Sequence, residues 1–185
     1  MKPKIDYTIG GDSAAPLCSK VWTAEELNGL SRLIIAPESN YLQLLIELAE
    51  LLPGPFGILY VLLVSRCDQE LGRYQSPYPS SMEEVKEFIN TFESFLESDG
   101  RHNLWITSLP EKTTLVYDKH NIIYAYGQLE EYEKILLRRG FKKGKVINLN
   151  VPHAHNYNPE YDKFERVIMK YWDWQKYPLH VSEEI

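Results

Sequence analysis

The chemistry most directly suggested by residue type and spacing lies in Pro152-His153-Ala154-His155, where two imidazoles are separated by one residue. On an extended strand such residues point to the same face, so His153 and His155 can share one ion. A third ligand has to come from elsewhere in the chain, and Asp162, Glu160 and His120 are the candidates. The competing structural reading is a pair of half-exposed histidines in a Pro- and Asn-rich turn between Leu149 and Asn158. His120 also has Asp118 two residues before it, and a carboxylate at that spacing can orient an imidazole or raise its pKa for general acid/base work. The same two residue types are ordinary turn formers. Cys67, directly after an apolar run, completes a possible catalytic set with His120 and Asp118, against the alternative of a buried structural thiol.

Compact signatures of other chemistries are missing: no G-x-x-x-x-G-K-[ST], G-x-G-x-x-G after a strand, G-x-S-x-G or H-E-x-x-H occurs. No cofactor is therefore expected. Lys plus Arg number 20 against 26 Asp plus Glu, a formal charge of -6, which disfavours nucleic acid and anionic membranes as partners. Cys18 and Cys67 lack the C-x-x-C spacing of a zinc finger or redox pair, although two cysteines can still bridge. The first residues carry no apolar signal-type run and no stretch is long enough to span a bilayer, so a cytoplasmic, non-membrane protein is expected.

The 13 Tyr, 6 Phe and 4 Trp suggest a contact surface, because many of the tyrosines stand in polar segments. Tyr74, Tyr78, Tyr157, Trp172 and Trp174 are the candidate anchors, since such rings dominate binding hot spots. Glu84 and Glu87, on an acidic helix, would steer a basic partner. In size, acidity and missing catalytic signatures the chain resembles the small acidic bacterial immunity proteins, which implies an inhibitor bound to a basic toxin such as a nuclease. The leading expectation is thus a protein-binding module, and the alternative is a small metal-dependent or histidine-based enzyme built on His153 and His155.

The elements that must position these residues follow from periodicity. Residues 1–22 read as an irregular arm with a short strand at Ile5 to Ile9, and residues 23–185 as one domain. Thr23 and Glu26 have capping-box spacing, and Leu27, Leu30 and Ile34 then suggest a helix. A second helix runs from Tyr41 to Leu52. Gly57 to Ser65 is apolar without alternation, which places it mid-sheet. Arg66 to Ser80 reads as a long loop, and Ser81 with Glu84 opens the strongest helix, whose buried stripe includes Phe88, Phe92 and Phe95. Three strands follow at Leu104 to Ser108, Thr114 to Tyr117 and Ile122 to Tyr126, the last two as a hairpin. A helix over Gln128 to Arg139, a strand at Lys145 to Leu149 and a helix after Asn158-Pro159 complete the chain. The β-α-β-β-β-α-β middle predicts an α+β fold, with a mainly antiparallel sheet of about five strands flanked by N-terminal and C-terminal helices.

Overall fold

The computed structural model describes residues 4–9, 12–14, 20–27, 29–146 and 152–180. Near the N-terminus, β1 (Ile5–Ile9) and β2 (Asp12–Ala14) pair antiparallel, with Tyr7 opposite Ala14. The other edge of β1 takes up β11 (His153–His155), with Ile5 opposite His155 and Tyr7 opposite His153. The strand expected at Ile5 to Ile9 is therefore present, but its neighbourhood is a three-stranded sheet rather than an irregular arm.

The main sheet is built from β3 (Val21–Leu27), β4 (Leu30–Ala36), β5 (Phe56–Leu62), β6 (Gly72–Gln75), β7 (His102–Ser108), β8 (Thr113–Tyr117), β9 (Ile123–Tyr126), β10 (Lys142–Lys143) and β12 (Gln175–Tyr177). Its order is β10-β3-β4-β9-β8-β7-β5-β6-β12, and every pairing is antiparallel except β10 with β3. Helices α1 (Tyr41–Ala49), α2 (Met82–Ser98), α3 (Leu129–Arg138) and α4 (Asp162–Ile168) flank it. The fold is mixed α+β around a central sheet, but among the described residues that sheet has nine strands and a second one has three, rather than about five in all.

Three elements differ from the expected order. The helix expected from Thr23 is the β3–β4 hairpin: Leu27 pairs with Leu30 across a two-residue connection, and Gly29 takes a φ of 77° that glycine accepts without strain. The long loop expected at Arg66 to Ser80 contains β6, held between β5 and β12. Strand β5 is interior but off centre, and β8 occupies the middle position. The strand expected at Lys145 to Leu149 falls largely outside the described residues, as does Cys18.

Helix α2 begins as its sequence implies. Ser81 Oγ accepts from Glu84 N at 3.2 Å, and Glu84 Oε2 accepts from Ser81 N at 2.7 Å. Phe88, Phe92 and Phe95 are buried against one face of the sheet, in a core shared with Leu44, Tyr60 and Ile106. The opposite face is different. There the alternate residues of β7, β8 and β9, including Trp105, Thr114, Val116, Tyr124 and Tyr126, line an open groove that ends at His120.

Candidate metal centre

His120 sits in the turn between β8 and β9, and Asp118 shapes that turn. Asp118 Oδ1 accepts the backbone N–H groups of His120 at 2.8 Å and Ile122 at 2.9 Å. Its Oδ2 lies 2.9 Å from His120 Nδ1. Asn121 follows with a φ of 63°, a left-handed conformation that asparagine tolerates, and its Oδ1 accepts from the Tyr117 hydroxyl at 2.5 Å. With Nδ1 engaged by the carboxylate, Nε2 of His120 is the nitrogen available to an ion. This is the arrangement by which an outer carboxylate fixes the tautomer and ring orientation of a metal-ligating histidine.

His153 and His155 reach the same place by strand pairing. On β11 they share one face, as alternation requires. Strand β1 anchors them through buried Ile5 and Tyr7. Asn156 N donates to Lys4 O at 3.0 Å, and Gly100 N donates to Asn156 O at 3.0 Å, which ties the strand to the start of β7. The strand packs closely on Gly100, where a Cβ would lie 3.0 Å from His155 Cβ and 3.1 Å from Lys4 O.

The three rings then converge. Centroids lie 5.0 Å apart for His120 and His153, 4.9 Å for His120 and His155, and 5.2 Å for His153 and His155. One ring nitrogen from each lies within 4.8 Å of the other two. Tetrahedral zinc with bonds of about 2.0–2.1 Å needs nitrogens roughly 3.4 Å apart, so modest ring movements close the shell. His155 Nδ1 is buried and has no hydrogen-bond partner among the described residues. A buried ring nitrogen in that state is costly unless an ion or a proton acceptor meets it. Burial, followed by the positive charge of His120, Lys119, His153 and Lys4, pushes the His155 pKa down to about 3. The ring is therefore neutral near pH 7, the form that binds metal.

The other proposed ligands lie elsewhere. Asp162 accepts from Arg66 Nε at 3.0 Å and from an Arg101 terminal nitrogen at 3.2 Å, and Glu160 is exposed. Neither joins the histidines in the triad. Cys67 stands apart from His120: its thiol donates to Asp162 O at 3.3 Å, and burial with the nearby Glu165 charge pushes its pKa up, away from a thiolate nucleophile. His102 is buried beside Phe95 and Tyr60 and takes no part.

Of the expected partner anchors, Tyr74 is only 6% exposed, with its hydroxyl bonded to Glu70 O, so the contact role assigned to it gives way to a core role. Trp172 stacks on Phe88 with centroids 4.9 Å apart, and Trp174 Nε1 donates to Ile168 O at 2.8 Å; both rings fasten the C-terminal segment to α2. Tyr78 is 49% exposed, Tyr157 is half-buried, and Glu84 and Glu87 are exposed.

Sequence reasoning missed the groove. It encloses about 710 Å³ and is lined by Arg32, Asn103, Trp105, Tyr124, Tyr126 and His120 among others. The available signal was the alternation on β7, β8 and β9, which gives these strands a second face that the helices do not cover. Comparison with protein-family models, curated proteins and solved structures finds no match for the chain. Among the described residues, no helix is long and apolar enough to cross a membrane.

Proposed function

We propose that this chain is a small metal-dependent enzyme whose His120, His153 and His155 hold one divalent transition-metal ion. The observation that carries the reading is the convergence of three imidazoles from two separate segments, one of them already oriented by Asp118. Three protein ligands around a tetrahedral ion leave a position for water or substrate, which distinguishes catalytic from closed structural sites. An ion there would supply Lewis acidity and would lower the pKa of bound water, chemistry that suits hydrolysis or hydration. The chain's own contributions are concrete. Asp118 holds His120 in one tautomer, β1 holds the histidine pair in register, and burial keeps His155 neutral. The groove beside His120 offers room for a substrate.

Zinc calorimetry on metal-stripped protein tests this reading. One ion per chain is expected, with the affinity reduced at least a hundredfold by His153→Ala, His155→Ala or His120→Ala. Wild-type affinity in all three variants, or no uptake by the wild-type chain, would contradict it.

A further inference from the structure

The groove is graded along its length, and cross-strand register gives the order. At its near end stand Asn103, Asp118 and His120. One step along, Trp105 faces Val116 and Val116 faces Tyr124, forming an aromatic and aliphatic floor. Further on come Thr114 and, level with it on the neighbouring strands, Tyr126 and its partner Arg32, beside exposed Lys112. From Thr114 on β8 to Asp118 just past its end is four residues, about 13 Å at a strand's rise of roughly 3.3 Å per residue.

The far end is cationic in a specific way. Arg32 Nε and one terminal nitrogen both bind a single oxygen of Glu25, at 2.8 and 2.6 Å, and the other terminal nitrogen donates to Tyr126 Oη at 2.8 Å. A guanidinium has five N–H donors. Among the described residues one donor on each terminal nitrogen is left, and such donors suit a carboxylate or phosphate. The guanidinium is fixed by stacking over Tyr124, 4.7 Å from the ring centroid. Lys112 adds a second cation against the single Glu25 carboxylate.

We infer that the groove binds an elongated, flat aromatic substrate with an anionic end, the anion at Arg32 and Lys112, the ring on Trp105, Val116 and Tyr124, and the reacting group at His120. This rests on the metal reading for the identity of the reacting end, but the ring and anion subsites stand on the groove itself. The volume suits a ligand of this size.

The test uses zinc-loaded full-length protein and a ladder of hydroxamates that ligate the ion: acetohydroxamate, biphenyl-4-hydroxamate, and the latter carrying a 4′-carboxylate or a 4′-phosphonate. Calorimetry is expected to show at least a tenfold gain from the biaryl, removed by Trp105→Leu, and a further gain of about tenfold from the anion, removed by Arg32→Met. The carboxylate or phosphonate that gains more identifies the anion. Lys112→Ala, at an exposed position, is expected to lose part of the same gain and serves if Arg32→Met fails to fold. Biphenyl-4-carboxylate, which needs no ion, is titrated in parallel against metal-free protein. Should the chain take up no zinc, binding of that probe with dependence on Trp105 and on Arg32 or Lys112 would sustain the groove while the metal reading fails. Equal affinity across the hydroxamates, or no binding of biphenyl-4-carboxylate, would overturn the groove assignment.

Discussion

Two polar clusters on either side of β7's first residues differ in one respect that separates structure from function. Around Arg101, every side chain has found its partner. Asp99 binds the guanidinium through both oxygens at 2.7 and 2.9 Å, Glu165 and Asp162 bind another nitrogen, and Asn158 O accepts at 3.1 Å. Arg101, Asp99 and Glu165 are fully buried. Around His120, His153 and His155 the supporting groups are equally well fixed, yet ring nitrogens face one another and His155 Nδ1 has no hydrogen-bond partner among the described residues. Saturated charge in a core fastens elements together, here α4 to the start of β7. Converging imidazoles, one of them with a buried ring nitrogen that no described residue meets, are the arrangement the proposed ion would join.

The largest effect should come from breaking the saturated cluster. Arg101→Met leaves Asp99 and Glu165 buried without a counter-charge and is expected to cost about 3–5 kcal/mol in denaturant unfolding. A loss below about 1 kcal/mol would show that the cluster is not the fastener described. Lys4 sharpens the comparison, because it lies within the influence of both Asp118 and Asp99 and is buried over the Tyr117 ring, 4.0 Å from the centroid. Burial outweighs those carboxylates and lowers its pKa from 10.5 to about 7. Below pH 7 both folded and unfolded chains carry the proton, and the full penalty of a buried charge is present. As pH rises from about 7 towards 10.5 the folded chain has lost that proton while the unfolded chain keeps it, so the penalty fades. Lys4→Met is therefore expected to stabilise by a few kcal/mol at pH 6, with the advantage shrinking towards pH 10. A pH-independent difference in unfolding midpoints would remove the account.

Smaller effects are expected at the histidines. The chain has core enough to fold without an ion, so chelation should leave the melting transition cooperative. Zinc at a hundred times its dissociation constant should add about 2.7 kcal/mol by mass action alone. Collapse of the transition on chelation would make the ion structural. Asp118→Asn, which keeps the shape and weakens the hold on His120, should lower zinc affinity about 10–100-fold. Unchanged affinity would mean that Asp118 only shapes the turn.

Much of this was legible in local sequence because local physics decides it. The Ser81 and Glu84 cap, the β8–β9 hairpin and the shared face of His153 and His155 all depend on near neighbours. The β3–β4 hairpin was missed because Leu27, Leu30 and Ile34 mimic a helical stripe, while the Asn28-Gly29 dipeptide, the stronger turn signal, lies between the first two. Which candidate completes the histidine triad was not decidable locally. His120 and the β11 pair meet only because β1 pairs with a strand from the far end of the chain. Asp162, equally eligible by type, is drawn away by Arg101. The groove went unread because burial of one sheet face says nothing about what the other face lines.

The most direct test of the open histidine site is the absorption spectrum of the cobalt(II)-loaded protein, with azide added afterwards. One equivalent of cobalt should give the visible bands of a four-coordinate ion with nitrogen ligands, azide should shift them by entering the open position, and His153→Ala with His155→Ala should abolish them. A spectrum indistinguishable from that of cobalt in buffer, or one unchanged by the double substitution, would contradict the claim that these three histidines form a metal centre.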